Sequence, residues 1–452
     1  MKKWMAFVCC ALLLVVFTGC LRGYSSEHLA RPIVPPAPPT DFPPPTPRPT
    51  PEPTPPPPRI MPAYVLPGTA VGTRTADFND LTAHEWAANV GKGWNLGNTL
   101  DAAGNTPYGF AWLGGGYYAT TEVIDLETAW LGGRGAVTTR ENIEAVAAAG
   151  FNTIRIPVTW FKAMDENQTI REDWMERVQE VVDWAMDAGL KVILNTHHDN
   201  PVFRLLDDEM YDSRYYVIRV WQQVAYRFRD YNERLIFNGF NEPRTYGTPN
   251  EWTGGTPEER ANLNILNQYF VNTVRASGGN NAYRVLLVPT YAASTVTVAM
   301  NDFVLPTDTI ADRLLVALHI YSPFNFALNT GAGATYYWNP EITAHRTAFT
   351  NPLTQAYNRF IAQGIPVILS EMGAMNRDNE YYRAIWAYHF TRFARSVYMP
   401  TVWWDNNAHS PSTPGNETFG MLHRATNTWS FPSILDAILL AAEVPLGTPF
   451  EW

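Results

Sequence analysis

The chain has 452 residues, 46% of them hydrophobic and 13% aromatic, which excludes a disordered or fibrous protein. Its formal net charge is −10 and its sequence pI is near 5.4, and Lys and Arg do not cluster, so we expect no nucleic-acid partner. All three cysteines, Cys9, Cys10 and Cys20, lie near the N-terminus, so we expect neither a disulfide nor a thiolate metal site in the folded part.

Residues 1–20 have the pattern of a signal peptide. Lys2 and Lys3 precede an apolar run that ends at Phe17, which is too short for a comfortable membrane span. The segment from Phe17 to Cys20 is similar to a bacterial lipobox, although Phe17 is a poor match at the first position. We therefore expect export, with Cys20 as a lipidation site and a lipid anchor as the protein's one attachment to the membrane. Ordinary cleavage nearby would instead make the protein secreted.

Residues 21–70 are predicted to form a disordered linker. Between Arg31 and Pro62 the sequence has 17 prolines interleaved with Thr. This density favours extended polyproline II and removes the donors that a helix or sheet needs. Such a semi-rigid spacer would hold the following domain away from the membrane, whereas a proline-rich ligand for a partner domain is the alternative.

Residues 71–452 alternate short apolar runs with longer segments of helical period, which predicts βα units and a parallel sheet in an α/β protein. The predicted strands are Lys92–Leu96, Thr153–Val158, Lys191–Thr196, Leu235–Phe240, Arg284–Pro289, Leu314–Ile320, Pro366–Ser370 and Thr401–Trp404. Eight strands close a (β/α)8 TIM barrel. A doubly wound open sheet is the rival fold, but the sequence has neither its glycine fingerprint after an early strand nor a P-loop.

Helices are predicted between the strands, and some of their ends are marked. The predicted helices are Arg140–Ala149, Arg171–Ala188, Arg214–Tyr231, Pro257–Ser277 and Glu380–Val397. Thr138 and Glu141 have the spacing of a capping box before the first of them. Gly150 and Gly189 lie where the C-terminal caps of two helices are expected.

Polar residues collect at the C-terminal ends of the predicted strands, which form the catalytic face of a TIM barrel. Alone, a His or Glu at a strand end is more often solvated or a loop cap than catalytic. The residues in question are Arg155, the segments 195–199, 238–243 and 370–373, His319, Tyr321, and the segment 403–406. Because so many lie on one rim, we interpret that rim as an active site.

Two carboxylates, Glu242 and Glu371, follow strands on opposite sides of the predicted barrel mouth. Such a pair suits glycoside hydrolysis, in which one acid protonates the leaving oxygen while the other attacks the sugar or directs water. A separation of about 5 to 5.5 Å would indicate a retaining mechanism. One carboxyl must be protonated near neutral pH, and Arg155 and Tyr321 could lower the pKa of the other.

The sequence resembles glycoside hydrolase family 5 of the clan A barrels, within it the endoglucanase and xyloglucanase branch. The resemblance is carried, in family order, by GWNLGNTLDA (93–102), FNTIRIPVTW (151–160), NTHHD (195–199), FNGFNEPR (237–244), HIYSPFNFAL (319–328), ILSEMGA (368–374) and VWWDN (402–406). It implies an endo-acting, retaining enzyme without a cofactor. The implied substrates are β-1,4-linked glucans of plant cell walls, namely cellulose, mixed-linkage glucan or xyloglucan, and a β-mannanase or xylanase is the alternative.

By position, the resemblance implies that Glu242 is the general acid/base and Glu371 the nucleophile. It places Arg155 and Tyr321 beside the nucleophile, and it assigns Asn241 to the sugar 2-hydroxyl. It also implies four other substrate-binding residues. His197 and His319 match two histidines on the rim, His198 an extra polar wall, and Trp404 the aromatic floor of a sugar subsite. Because neighbouring strand residues point to opposite faces, Trp403 is predicted to lie in the core.

Two other classes of protein fit parts of this pattern. In a metal-dependent barrel hydrolase, His197, His198 and Asp199 would be ligands. Strand alternation would turn the two histidines to opposite faces, so we expect no metal. A surface sugar-binding lipoprotein would keep the aromatic residues but need not keep both Glu242 and Glu371. We therefore expect an enzyme. Separately, we expect it to be a monomer.

The stretch from Ala103 to Gly135 is longer than a connection between barrel elements needs, and it includes the run Gly114-Gly115-Gly116-Tyr117-Tyr118. We expect it to form a wall of the binding cleft. Loops of this kind, remote from the chemistry, discriminate between related polysaccharides.

Replacing Cys20 with Ser is expected to release the protein from the membrane fraction when the full-length chain is expressed in a bacterial host. The reason is that the Cys20 thiol carries the lipid, and multiple acylation makes such an attachment stable. Cell fractionation with immunoblotting measures the change, and unchanged hydrolytic activity is the control for folding. If wild type and variant were equally soluble in the medium, Cys20 would be the tail of an ordinary signal peptide.

Overall fold

A computed structural model describes residues 73–103, 122–129, 137–165 and 167–452. The predicted signal peptide with Cys20, the linker, and most of the Ala103 to Gly135 insertion lie outside these residues. Within them, no helix has both the length and the apolar character that a membrane span requires.

Eight parallel strands pair in chain order to form a closed barrel. They are β1 (Gly93–Leu96), β2 (Thr153–Ile156), β3 (Lys191–Asn195), β4 (Leu235–Asn238), β5 (Leu286–Pro289), β6 (Leu314–Ile320), β7 (Val367–Met372) and β8 (Thr401–Asp405). The barrel closes where β8 pairs with β1, from Gly93 opposite Val402 to Leu96 opposite Asp405. The predicted TIM barrel is confirmed, and the ends of the predicted strands shift by at most two residues.

Helices cover the outside of the barrel. In the described residues they are α1 (Ala83–Ala88), α2 (Val123–Thr128), α3 (Arg140–Ala148), α4 (Glu172–Asp187), α5 (Met210–Arg227), α6 (Pro257–Ala276), α7 (Thr297–Asn301), α8 (Phe324–Ala327), α9 (Thr343–Arg359), α10 (Glu380–Ser396) and α11 (Pro432–Glu443). A two-stranded hairpin, β9 (Leu422–His423) with β10 (Thr428–Trp429), follows β8. The five predicted helices correspond to α3, α4, α5, α6 and α10, whereas α1, α2, α7, α8, α9 and α11 are additional.

The N-terminal cap of α3 differs from the prediction. Thr139, and not Thr138, accepts a hydrogen bond from Asn142 N, and the Asn142 side chain accepts one from Thr139 N in return. Thr138 N instead donates to Glu127 Oε1 (2.8 Å), so its capping-box spacing is incidental. The predicted caps at Gly150 and Gly189 are confirmed, because both glycines have positive φ angles, 104° and 83°.

Aliphatic side chains fill the barrel interior, and the α1 segment lies across its N-terminal end. The interior cluster includes Ile193, Ile236, Leu287, Leu315, Ile368 and Val402, together with Trp86 of α1. Trp86 is fully buried, and its Nε1 donates to the carbonyl of Glu233, just before β4. A larger cluster fills the space between strands and helices. Because the interior is packed, polar chemistry is confined to the opposite, C-terminal rim.

The pairing of β6 with β7 contains an irregularity that positions a rim residue. Leu318 lies opposite Leu369, but the next residue, His319, lies opposite Glu371, so Ser370 is skipped. A bulge of this kind changes the direction of the side chains that follow it. It brings Glu371 next to His319.

Replacing Leu287 with Ala is expected to lower the free energy of unfolding by about 2 to 5 kcal/mol, because it leaves a cavity in the barrel interior. Leu440→Ala is the matched control, since Leu440 is 59% exposed on α11 and its truncation should change the free energy by less than about 0.5 kcal/mol. Denaturant unfolding measures both. Equal effects of the two variants would contradict the packing described for the interior.

Candidate active site

Arg155 is the centre of the hydrogen-bond network at the rim. Its side chain is fully buried on β2, and Nη1 donates to Glu371 Oε1 (2.8 Å) and Asn95 Oδ1 (3.0 Å). Nη2 donates to Asn241 Oδ1 (2.7 Å) and Asn238 Oδ1 (3.2 Å). A buried guanidinium with four oxygen partners has little freedom, so it holds the Glu371 carboxylate in one position.

Asn95 and Asn238 orient this arginine, a role that was predicted for neither residue. Asn95 Nδ2 donates to Ser370 O (3.0 Å), and Asn238 Nδ2 donates to Phe240 O (2.9 Å). With the amide nitrogens engaged, both side-chain oxygens face Arg155. An Asn within the apolar strand of a packed barrel is itself the signal for such a role, because a buried amide needs a polar partner.

Glu371 has a second donor on its other oxygen. Tyr321 directly follows β6, and its hydroxyl donates to Glu371 Oε2 (2.8 Å). Burial and the neighbouring Glu371 carboxylate raise the pKa of Tyr321 well above its usual value, so the phenol stays protonated and remains a donor. The structure therefore brings Arg155 and Tyr321 to the two oxygens of one carboxylate.

Glu242 has different surroundings. His319 Nδ1 contacts Glu242 Oε1 (2.9 Å), and Arg244 Nη1 donates to Oε2 (3.2 Å). Burial raises the pKa of Glu242, but the hydrogen bond from His319 and the charge of Arg244 outweigh burial and lower the pKa to about 2. Resemblance made this residue the proton donor, yet its contacts favour the ionised carboxylate.

The two carboxylates face each other beside His319. His319 Nδ1 lies 2.9 Å from Glu242 Oε1 and 3.5 Å from Glu371 Oε2. One oxygen of each carboxylate and one His319 nitrogen all lie within 4.8 Å of one another. The distance between these two carboxylate oxygens is close to the separation of about 5 to 5.5 Å in retaining glycosidases. It is shorter than the roughly 6.5 to 9.5 Å in inverting ones.

His197 and His198 lie together against Asp101. Nε2 of each is 3.9 Å from Asp101 Oδ2, and the two rings meet edge to face with centroids 4.4 Å apart. The prediction that strand alternation separates these histidines is wrong, because β3 ends at Asn195, before both of them. The three side chains have ligand atoms close enough to hold a metal ion.

The hydrogen bonds of Asn195 fix the tautomer of His197. Asn195 Oδ1 accepts from Val158 N (3.2 Å), so Asn195 Nδ2 donates to His197 Nδ1 (3.0 Å). Burial lowers the pKa of His197 well below 6.5, so the ring is neutral and its single proton is on Nε2, on the side of Asp101. The Nε2–H of His197 therefore faces Asp101 Oδ2 at 3.9 Å, which is longer than a hydrogen bond.

Trp404 forms a flat face next to this cluster. Its ring stacks parallel to His197, with centroids 5.5 Å apart and an interplanar angle of 2°. Phe419 and Met375 pack in the same cluster. Trp403, the next residue back along β8, lies in the main core as predicted.

The loop that carries Asp101 is held by Lys162, a residue for which no role was predicted. The Lys162 ammonium group is buried and donates to the carbonyls of Leu100 (2.9 Å), Leu126 (2.9 Å) and Ala102. Burial lowers the pKa of Lys162 to about 7 and raises that of Asp101 to about 6. A Lys in a short turn six residues beyond the end of β2 gives no indication in sequence that it will be buried.

The chain is similar to a known family of proteins and to several of its curated members. Residues 116–410 match the model of the family described as cellulase (glycosyl hydrolase family 5). The chain is 38% identical over 375 residues to the cellulase/esterase CelE of Acetivibrio thermocellus, a match over 82% of this chain and 42% of that protein. It is also 38% identical over 372 residues to endoglucanase A of Ruminococcus albus, a match over 81% of this chain and 94% of that protein.

A solved structure gives the same result. The GH5-4 broad specificity endoglucanase from Ruminococcus champanellensis, determined with bound cellotriose, is 42% identical to this chain. The two superpose with a TM-score of 0.72 over 80% of this chain and 99% of that one. At this identity the likeness extends beyond the barrel fold to the family.

His197 is expected to be neutral at the ordinary histidine pKa of about 6.5 and above, with its proton on Nε2, because burial opposes the imidazolium form and Asn195 occupies Nδ1. Two-dimensional ¹⁵N NMR of histidine-labelled protein reports the tautomer, and the spectrum of His197→Gln assigns the signal. In Asn195→Leu, which removes the amide donor, the signal should change. An imidazolium signal for His197 at about pH 6.5 would contradict this assignment.

Proposed function

Because the chain belongs to glycoside hydrolase family 5, we propose that it is an endo-acting, retaining hydrolase of β-1,4-linked glucans. The curated relatives compared with it are a cellulase/esterase and an endoglucanase, and the solved relative holds cellotriose. The observation that carries the proposal is the approach of Glu242 and Glu371 within 4.8 Å at the catalytic end of the barrel.

Glu371 is assigned as the nucleophile. A nucleophilic carboxylate must be ionised and fixed, and Arg155 and Tyr321 donate to its two oxygens. In the first step a Glu371 oxygen attacks the anomeric carbon while the bond from that carbon to the leaving oxygen breaks. The leaving oxygen takes the proton of Glu242, which is assigned as the acid.

Glu242 becomes the base in the second step. Water attacks the anomeric carbon from the side that the leaving group vacated, its proton passes to Glu242, and the bond to Glu371 breaks. The two inversions give net retention. Glu242 suits this exchange because its side chain is 18% exposed, compared with 6% for Glu371, so solvent reaches it more readily.

Asn241 is assigned to the sugar 2-hydroxyl. Its Oδ1 accepts from Arg155, which turns the amide so that Nδ2 is a donor with no other partner among the described residues. A hydrogen bond to the 2-hydroxyl strengthens in the oxocarbenium-like transition state. Trp404 is assigned as the floor beneath the sugar on the non-reducing side of the cut, with His197 and His198 as a polar wall.

The enzyme is further proposed to work outside the cell on plant cell-wall glucan. The support is in the sequence, where the signal-peptide pattern, Cys20 and the proline-rich linker precede the catalytic domain. A tethered barrel on a spacer would meet an insoluble polymer that cannot enter the cell.

Replacing Glu371 with Ala is expected to abolish hydrolysis of β-glucan, and azide should restore turnover of an activated aryl β-cellobioside to give the α-azide. In Glu242→Ala, by contrast, the glycosyl-enzyme still forms from such a substrate, and azide then gives the β-azide. NMR of the anomeric proton distinguishes the products. Glu443→Ala, in a surface ion pair with Lys92, is the matched control and should leave hydrolysis unchanged.

The stereochemistry of the azide products decides between the assignments. If both variants gave the same anomer, the division of roles between Glu242 and Glu371 would be wrong. If neither lost hydrolysis of β-glucan, the proposed function itself would fail.

A further inference from the structure

Arg244, on the loop after β4, is a cation for which the proposed mechanism has no role. It lies two residues beyond Glu242 and is 9% exposed. Its Nη1 donates both to the backbone carbonyl of Glu242 (2.9 Å) and to the carboxylate oxygen Oε2 (3.2 Å). The guanidinium is therefore tied to the same residue at two points.

The guanidinium is fixed from its other sides as well. Arg244 Nε donates to Glu251 Oε1 (3.1 Å), and Gly247 N donates to the second oxygen of Glu251 (2.9 Å). The guanidinium carbon lies 4.0 Å from the ring centroid of Trp252 and 4.5 Å from that of Tyr246. Cation–π contacts and an ion pair together hold a charge in place, so Arg244 is a fixed positive charge beside Glu242.

Other titratable groups face Glu242 from every side of the site. They are His198 after β3, Tyr246 on the loop with Arg244, His319 on β6, Glu371 on β7 and Glu417 beyond β8. The neighbouring acids oppose ionisation of Glu242, as shown by Glu417, whose pKa is raised to about 7 by burial and by repulsion from Glu242 and Glu371. Only Arg244 among these groups carries a permanent positive charge.

The two steps assigned to Glu242 make opposite demands on its charge. The first step needs the protonated acid, and the second needs the carboxylate. A fixed cation 3.2 Å from Oε2 stabilises the carboxylate and so works against the first step. A purely structural Arg would not need to point at the reactive oxygen.

We propose that Arg244 is a positioning residue that biases Glu242 towards the carboxylate, favouring proton acceptance from water over proton donation to the leaving group. This inference rests on the acid/base role proposed for Glu242. It follows that Arg244, together with the hydrogen bond from His319, sets the alkaline limb of the pH profile on unactivated glucan.

The test is the pH dependence of kcat/KM for a soluble mixed-linkage β-glucan in Arg244→Gln. Loss of a neighbouring cation should raise the pKa of Glu242, so the alkaline limb should move to higher pH by about one to three units. With an activated aryl β-cellobioside whose second step limits kcat, the acid limb of kcat should move to higher pH as well. A merely structural role would lower activity without moving either limb.

Two matched variants control for loosening of the loop. Arg244→Lys keeps the positive charge, so the alkaline limb of its pH profile should stay near that of the wild type. Glu251→Gln leaves Arg244 in place but removes a negative charge beside it, so Arg244 acts more strongly on Glu242 and the alkaline limb should move to lower pH. If Arg244→Gln does not fold, the shift to lower pH in Glu251→Gln still tests the inference.

The outcomes separate this inference from the proposed function. If the azide products of Glu242→Ala and Glu371→Ala fail to differ, the acid/base assignment has failed. If they differ as expected but the alkaline limb of Arg244→Gln stays at the wild-type pH, or moves in the same direction as that of Glu251→Gln, the role of Arg244 is overturned.

Discussion

The buried ion pair of Arg155 and Glu371 is the constraint on which the rest of the rim depends. Both side chains are almost inaccessible, at 0% and 6% exposure, and burying charge is costly unless every donor and acceptor is satisfied. Arg155 meets this condition through Asn95, Asn238 and Asn241. The pair therefore ties together the ends of β1, β2, β4 and β7. Burying the pair costs desolvation free energy, but it fixes a carboxylate, Glu371, where a fixed carboxylate has a chemical use.

This network also makes the two carboxylates unequal. Glu371 receives donors that belong to the barrel framework, Arg155 on β2 and Tyr321 directly after β6. Glu242 depends instead on His319 and on Arg244, the latter in a loop. A nucleophile has to return to the same charge and position after each turnover, whereas an acid/base has to change its charge. The two donors to Glu371, and the greater exposure of the Glu242 side chain (18% compared with 6%), correspond to that difference.

The fold and the composition of the rim were predictable because both follow from local pattern. Strand periodicity located all eight strands, and position at a strand end located Glu242 and Glu371. What pattern missed depends on tertiary partners. Asn95 in an apolar strand indicates a polar partner but not which one, and Lys162 is identifiable only by its contacts. Thr139 caps α3 in place of Thr138 because Asn142 can serve as well as Glu at the third helical position. The helices α9 and α11 belong to the repeating pattern, after β6 and β8, but neither was predicted, and α9 has Pro352 in its interior.

The wrong prediction for His197 and His198 shows that side-chain alternation holds only within a strand. Beyond Asn195 the chain no longer alternates, so His197 and His198 both turn towards Asp101. Burial lowers the pKa of His198 to about 3 and that of His197 well below 6.5, so both rings are neutral. Neutral imidazoles donate and accept hydrogen bonds without adding charge. A wall of that kind, beside the flat face of Trp404, suits a ligand with many hydroxyl groups and no charge.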